Sequence, residues 1–347
     1  MQPLRREWVD VRAKCETLVP KILEESLKAA KAGKSGLNKR KASKPRAAFD
    51  RLLTEFVHRL AHIRILDPAC GSGNFLFVAV QLLLDLEKEV VTYGAAYGVT
   101  QLPQVRPTQL LGIEINPFAQ ELAQVVIWIG YLQWMYHNGF HPPRDPVLDP
   151  MVTIENRDAI LDLSNPAHPK EPEWPEADFI IGNPPFLGDK KMRRELGDHY
   201  VTTLRSLYAN RLPGQSDLCC YWFEKGRQQI ERGRCSRAGL LATQGIRGGA
   251  NRVVLKKIKE TGAKLPFVND VIAMYYCLLD EKTSLSAKAS IVFALLYFIT
   301  PIDVIPDFIL ALGYTDDATV IASTILLLKS QLKTEHYEKA KASLEKE

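Results

Sequence analysis

Four short stretches of this sequence place residues able to hold a ligand in a fixed order along the chain. The most distinctive is Asn183-Pro184-Pro185-Phe186, which closes an apolar run. Its two prolines fix their own φ and donate no backbone N–H, so the turn is stiff and presents Asn183 and Phe186 in one geometry. Earlier, Asp67-Pro68-Ala69-Cys70-Gly71-Ser72-Gly73-Asn74 sets a carboxylate beside glycines that let backbone approach a ligand closely. A purely structural turn has the same composition. Glu114 has the chemistry to accept both hydroxyls of a ribose, or to serve as the carboxylate at a helix N-terminus. Asp158 has the reach of an adenine amino group, or is an exposed loop acid. Taken singly each residue leaves both readings open. Their occurrence in order, one after each of successive apolar runs, favours a single nucleoside site.

The elements that must carry these residues follow from periodicity. Residues 63–66, 110–115, 151–156, 178–183 and 237–243 are short apolar runs of strand length. Residues from Phe75 to Val90, from Asn116 to Tyr136 and from Asp217 to Gly233 carry helical spacing, with Asn116 and Pro117 as N-cap and first-turn residue. Short strands alternating with amphipathic helices predict a doubly wound parallel sheet. In such a sheet ligands bind beyond the carboxyl ends of the strands, where all four stretches fall. Leu76 stands where the third glycine of G-x-G-x-x-G is required, so the pyrophosphate-binding fingerprint is broken. A nucleoside lacking a pyrophosphate fits better than a nicotinamide dinucleotide.

Charge and cysteine content bound the setting. The formal net charge is +5, but residues 28–46 hold eight Lys/Arg and no acid, which leaves the rest of the chain slightly acidic. That stretch reads either as a phosphate-facing segment or as a solvated helix end and linker. Six cysteines include no Cys-x-x-Cys pair and no Cys/His cluster at zinc spacing, so free buried thiols, a reducing cytoplasm and no metal centre are expected. The amino terminus has charges where a signal peptide needs an apolar core. The uncharged run Ala289–Ile302 is 14 residues long, short of the roughly 20 that span a bilayer.

"LDPACGSGNFL", "GIEINPFAQELAQ" and "GNPPFLGDKK", in this order, resemble the amino-methylating DNA methyltransferases, and most closely the MmeI-like adenine-N6 branch of restriction-modification enzymes. "VVIWIGYLQW" and "IRGGANR" also have counterparts there, and the resemblance spans roughly residues 3–262. It implies a Rossmann-like α/β fold and S-adenosylmethionine as methyl donor. Asp67, Ala69 and the loop Gly71, Gly73, Asn74 would hold the methionine part, Glu114 the ribose and Asp158 the adenine. It also implies DNA as partner, with a target adenine flipped out of the duplex. Asn183 and the Pro184 carbonyl would accept hydrogen bonds from its N6 amino group, Pro185 would stiffen the turn, and Phe186 would stack on the base. Asp217 and Tyr221 match a helix that lines the pocket in this family, or serve plain packing.

The chain departs from that pattern after Gly262, where further strands and a target-recognition region are expected but three apolar helical stretches follow instead. "LPFVNDVIAMYYCLLDE" through "LGYTDDATVI" resembles the small YkvA-like helical family over about residues 264–335. Asp303, Asp307, Asp316 and Asp317 there read as helix caps rather than metal ligands. The expected organisation is a helical and basic segment over 1–62, a catalytic domain with an incomplete sheet over 63–263, and a small all-α domain over 264–347. A partner chain supplying target recognition and a weak membrane association through the last helices belong to this reading. Two other functions share the motifs: N5-glutamine methylation of proteins, and a non-enzymatic nucleoside-binding remnant.

Overall fold

In the computed structural model, residues 2–31, 43–140 and 152–263 are described, with short pieces at 276–280, 283–284, 288, 335–336 and 338–339. The four aspartates at 303–317 and almost all of the expected C-terminal helical domain lie outside them, as does the middle of the basic segment. The chain divides into two compact units: residues 60–85 with 104–264, and residues 1–59 with 86–103 and 265–347.

The first unit is built on five parallel strands: β1 (Ile65–Asp67), β2 (Leu110–Glu114), β3 (Ile154–Asn156), β4 (Phe179–Gly182) and β5 (Arg237–Leu240). Their order in the sheet is β3-β2-β1-β4-β5, so the order reverses beside β1. Asp67 lies opposite Gly112, Glu114 opposite Asn156 and Gly182 opposite Leu240, which brings the ends of the expected strands to one rim. Every strand begins or ends within a few residues of its expected position. β1 and β2, at the centre of the sheet, are buried along almost their whole length, as strands covered on both faces are, whereas β5 at the edge is exposed over Arg237, Ala238 and Gly239.

α3 (Asn74–Ala96) follows β1, and α4 (Pro117–His137) follows β2. Asn116 caps α4 as expected, its side-chain oxygen accepting from the Phe118 and Ala119 N–H groups at 3.0 and 3.3 Å. α5 (Asp189–Leu196) and α6 (Asp198–Tyr208) lie between β4 and β5, followed by α7 (Cys219–Glu231). α8 (Arg252–Ala263) comes after β5. α5 and α6 were not anticipated. α5 buries only Met192 under a run of charges, which leaves almost no apolar period to read, whereas α6 buries Val201, Leu204 and Tyr208 at helical spacing. The core joins Leu66, Leu111, Ile113 and Ile180 of the sheet to Val201, Leu204, Tyr208, Tyr221 and Trp222 of α6 and α7. All six cysteines are buried and none forms a disulfide.

In the second unit, α1 (Gln2–Lys31) and α2 (Lys44–Ala61) pack with the later part of α3 through an aromatic cluster. Trp8 stacks on Phe56 at 5.5 Å between ring centres, and Tyr93 meets Trp8 edge-on. Arg46 donates to the Tyr97 and Gly98 carbonyls, and so covers the end of α3. No described helix is long and apolar enough to cross a membrane.

Candidate functional site

Asp67 ends the central strand with its side chain fully buried. Its Oδ1 accepts from the Ala69 N–H at 3.0 Å, while Oδ2 is buried with no partner among the described residues. Burial, and to a lesser degree the Glu114 carboxylate, pushes the Asp67 carboxyl up to about 7. Space for this carboxylate comes from β4: a Cβ on Gly182 would stand 2.5 Å from Asp67 Oδ1. The strand that carries Asn183 therefore ends in glycine so that it can pass the Asp67 side chain.

The Gly-rich turn is held from three sides. Gly71 and Gly73 adopt φ of 53° and 81°, conformations that favour glycine. Gly73 also lets α3 meet α4, since a Cβ there would lie 3.1 Å from Ala123. Beside Gly71 nothing lies within 4 Å of an added Cβ, so its open side faces free space. Glu114 Oε2 accepts from the Gly71 N–H and Oε1 from the Asn116 N–H, both at 2.9 Å. Trp222 of α7 donates its indole N–H to the Pro68 carbonyl at 2.8 Å. Glu114 thus anchors the turn and the start of α4 together, and each of its oxygens keeps a lone pair for another donor. Asn74 is exposed as the first residue of α3, and Cys70 is a packing residue under the turn.

Asp158 is fixed from two directions. Its Oδ1 accepts from the Ile160 and Leu161 N–H groups, and Oδ2 accepts from the Tyr200 hydroxyl of α6 at 2.6 Å. Burial first, then Asp158, pushes the Tyr200 hydroxyl well above its ordinary range, so it stays a donor. Asp158, Tyr200, Ile115 and Trp174 line one cleft of about 1150 Å³. Ile115 follows Glu114 directly and is 65% exposed. In the sequence Ile115 and Gly182 read only as strand-end residues, because the exposure of the one and the close approach of the other to Asp67 arise from the fold. Tyr200 carries no local signal, because it belongs to a helix that was not foreseen.

Asn183 is exposed, and its side chain makes no hydrogen bond to the described residues. Pro184 is buried, Pro185 exposed, and Phe186 is 47% exposed. Phe186 opens a second cleft of about 540 Å³, shared with Gly188, Asp189, Lys190, Lys191 and Asp217. Asp217 and Asn251 form a reciprocal pair: the Asp217 N–H donates to Asn251 Oδ1 at 2.8 Å, and Asn251 Nδ2 donates to Asp217 Oδ2 at 2.7 Å. Asn251 also donates to the Gly245 carbonyl, so the "IRGGANR" segment is tied through Asp217 to the start of α5, three residues past Phe186. Tyr221 instead is buried against Tyr208, ring centres 4.9 Å apart, and serves packing.

The model of the family described as MmeI, DNA-methyltransferase domain, matches residues 37–273, more than half of the chain. The chain belongs to this family. The methyltransferase domain has a curated relative, DNA methyltransferase A of Bacillus subtilis (strain 168), 30% identical over 182 residues, which cover 50% of this chain and 20% of that protein. It is also similar to the solved structure of the Type IIL restriction-modification enzyme MmeI in complex with DNA. That similarity is at 26% identity and a TM-score of 0.47, covering 61% of this chain and 29% of the other. The chain thus spans about a fifth of the length of the first relative and under a third of the second. A second family, described as a protein of unknown function (DUF1232), matches residues 287–322. In that part the chain is 48% identical over 46 residues to the uncharacterized membrane protein YkvA of Bacillus subtilis (strain 168), which is 13% of this chain and 42% of that protein.

Proposed function

We propose that this methyltransferase domain transfers a methyl group from S-adenosylmethionine to the N6 amino group of adenine in DNA, in the reducing cytoplasm, as part of a restriction-modification type system. The observation that carries the reading is the alignment of three preformed features on one sheet rim. These are a buried Asp67 oxygen without a partner, a Gly71 turn open to ligand, and an unsatisfied, exposed Asn183 amide beside them on the adjacent strand.

The residues present suit the cofactor. Asp67 Oδ2 would accept from a cationic amino group, with the turn of Ala69, Gly71, Gly73 and Asn74 against the methionine part. Glu114 would accept from ribose hydroxyls through its remaining lone pairs. Asp158, held by Tyr200, would face the adenine amino group, with Ile115 against the ring. When bound, S-adenosylmethionine supplies an electrophilic methyl group.

The chain's own contribution is orientation and polarisation. The Asn183 side-chain oxygen and the Pro184 carbonyl accept the two N–H bonds of the target amino group and hold its lone pair outward. Pro185 keeps both acceptors fixed, and Phe186 stacks on the extruded base. No side chain needs to act as a covalent nucleophile, which agrees with the burial of every cysteine. The catalytic domain is assigned to residues 63–263, with the helical and basic segment 1–62 before it and the YkvA-like segment 264–347 after it. For that last segment we assign no chemistry beyond a weak membrane or partner contact.

Incubation with labelled S-adenosylmethionine and either duplex DNA or cell protein tests the reading. Label on DNA supports it. Label on protein glutamine would place the chain with the N5-glutamine methyltransferases, and cofactor binding without transfer to either would make it a nucleoside-binding remnant.

A further inference from the structure

The cleft opened by Phe186 contains two acids and two lysines, and their pairing is unequal. Asp189 is engaged by the Arg205 guanidinium of α6. Asp217 is engaged by the Asp189 N–H at 2.9 Å and by Asn251. The Asp189 charge is thus neutralised by Arg205, whereas Asp217 is hydrogen-bonded by neutral donors and keeps its charge. Lys190 and Lys191 are exposed, and neither makes an ion pair or hydrogen bond through its ammonium with the described residues. Farther along α5 the basic residues are taken up: Arg193 pairs with Asp198 at 2.7 Å and Arg194 with Glu195 at 2.5 Å. With only the Asp217 carboxylate to offset them, the two lysines at the start of α5, four and five residues past Phe186, leave this cleft a small net positive charge.

We infer that Lys190 and Lys191 form a clamp for the DNA phosphates flanking the extruded nucleotide, and that Asp217 and Asn251 hold that clamp in register with the Asn183–Phe186 turn. This rests on the DNA reading of the site. An extruded base carries its sugar and phosphates with it, so a ring that stacks on the base has the adjacent phosphates one sugar's length away, within reach of a lysine a few residues along the chain. Phosphate contacts fix position and register without reading sequence, which suits two flexible lysines better than a base-edge contact. The reciprocal Asp217–Asn251 pair makes the distance from ring to lysines a property of the fold rather than of a loose loop.

The test is the salt dependence of duplex binding by the full chain, followed by fluorescence anisotropy with a labelled 24-base-pair duplex between 50 and 200 mM salt. Each lost phosphate contact lowers the slope of log affinity against log salt by about 0.9. K190Q/K191Q should lower the slope by about 1.8, which is roughly a tenfold smaller loss of affinity across that range. The charge-matched control K14Q/K21Q, on α1, should leave the slope unchanged, and F186A should weaken binding at every salt concentration without changing the slope. Binding by K190Q/K191Q with the slope of the control would overturn the clamp while leaving the DNA reading intact. No duplex binding by the wild-type chain at 50 mM salt would overturn both.

Discussion

Asp67 is the residue where burial and chemistry conflict most openly. A carboxyl with no exposure and one unsatisfied oxygen is expensive to ionise, and its upward shift to about 7 is the measure of that. Below about pH 7 Asp67 holds a proton and offers an ammonium no charge; above it the carboxylate is present. Affinity for S-adenosylmethionine should therefore fall by up to tenfold per unit as pH drops from 7 to 5.5. Asp67→Asn should give a flat profile over the same range and bind more weakly by about 1.5–3 kcal/mol at pH 7. Titration calorimetry at four pH values decides this, and parallel profiles for the two proteins would remove Asp67 from the site. At the other end of the rim, Asn183→Ala should leave cofactor affinity within about twofold while ending methyl transfer, because Asn183 faces the target and not the donor. Phe186→Ala should cost DNA affinity about 1–3 kcal/mol through the lost stack. These residues were legible because their types are costly for packing: an Asn before two prolines, and a carboxylate next to glycines. What was not legible is what they already bind. That Glu114 anchors Gly71, and that Asp158 is held by Tyr200, depends on partners 43 and 42 residues away.

At the scale of elements, the strand ends set the site, and the close approach of β4 to β1 is its narrowest tolerance. Gly182→Ala would drive a methyl group to within 2.5 Å of Asp67 Oδ1, so the carboxylate must swing or the strands must part. The variant should lose about 1–3 kcal/mol of stability, typical of overpacking, and should lose cofactor binding by more than that stability change explains. Chemical denaturation together with calorimetry separates the two effects. Equal cofactor affinity in the folded variant would show that Asp67 can move without consequence. The five strands were readable because β-length apolar runs ended by Asp, Asn or Gly leave few alternatives. The helices α5 and α6 were missed for opposite reasons. α5 has a single buried side chain in eight residues, whereas α6 has a readable period in Val201, Leu204 and Tyr208 but spans only eleven residues between two loops. The cost of missing them was real, since they supply Tyr200, Arg205 and the two lysines.

For the molecule as a whole, the residues proposed for the donor site, the target pocket and the lysine cleft all fall in one unit, and none of its described elements is assigned to base edges in a groove. Direct readout requires side chains delivered to those edges. This chain alone should therefore show little or no site-specific DNA methylation. Sequencing of modified adenines from cells producing only this chain checks that expectation, with dense methylation of one defined motif as the opposing result. β5 pairs with β4 alone among the described strands and exposes Arg237, Ala238 and Gly239, an edge of the kind that attracts a further chain. A partner supplying recognition should raise both activity and selectivity. The central claim is the identity of the methylated atom, and nucleoside mass spectrometry reads it directly. Duplex DNA is incubated with the chain and isotopically labelled S-adenosylmethionine, then digested to nucleosides. The account predicts labelled N6-methyldeoxyadenosine from the wild-type chain and none from Asn183→Ala. Label in a methylated cytosine, or equal N6-methyldeoxyadenosine from Asn183→Ala, would contradict it.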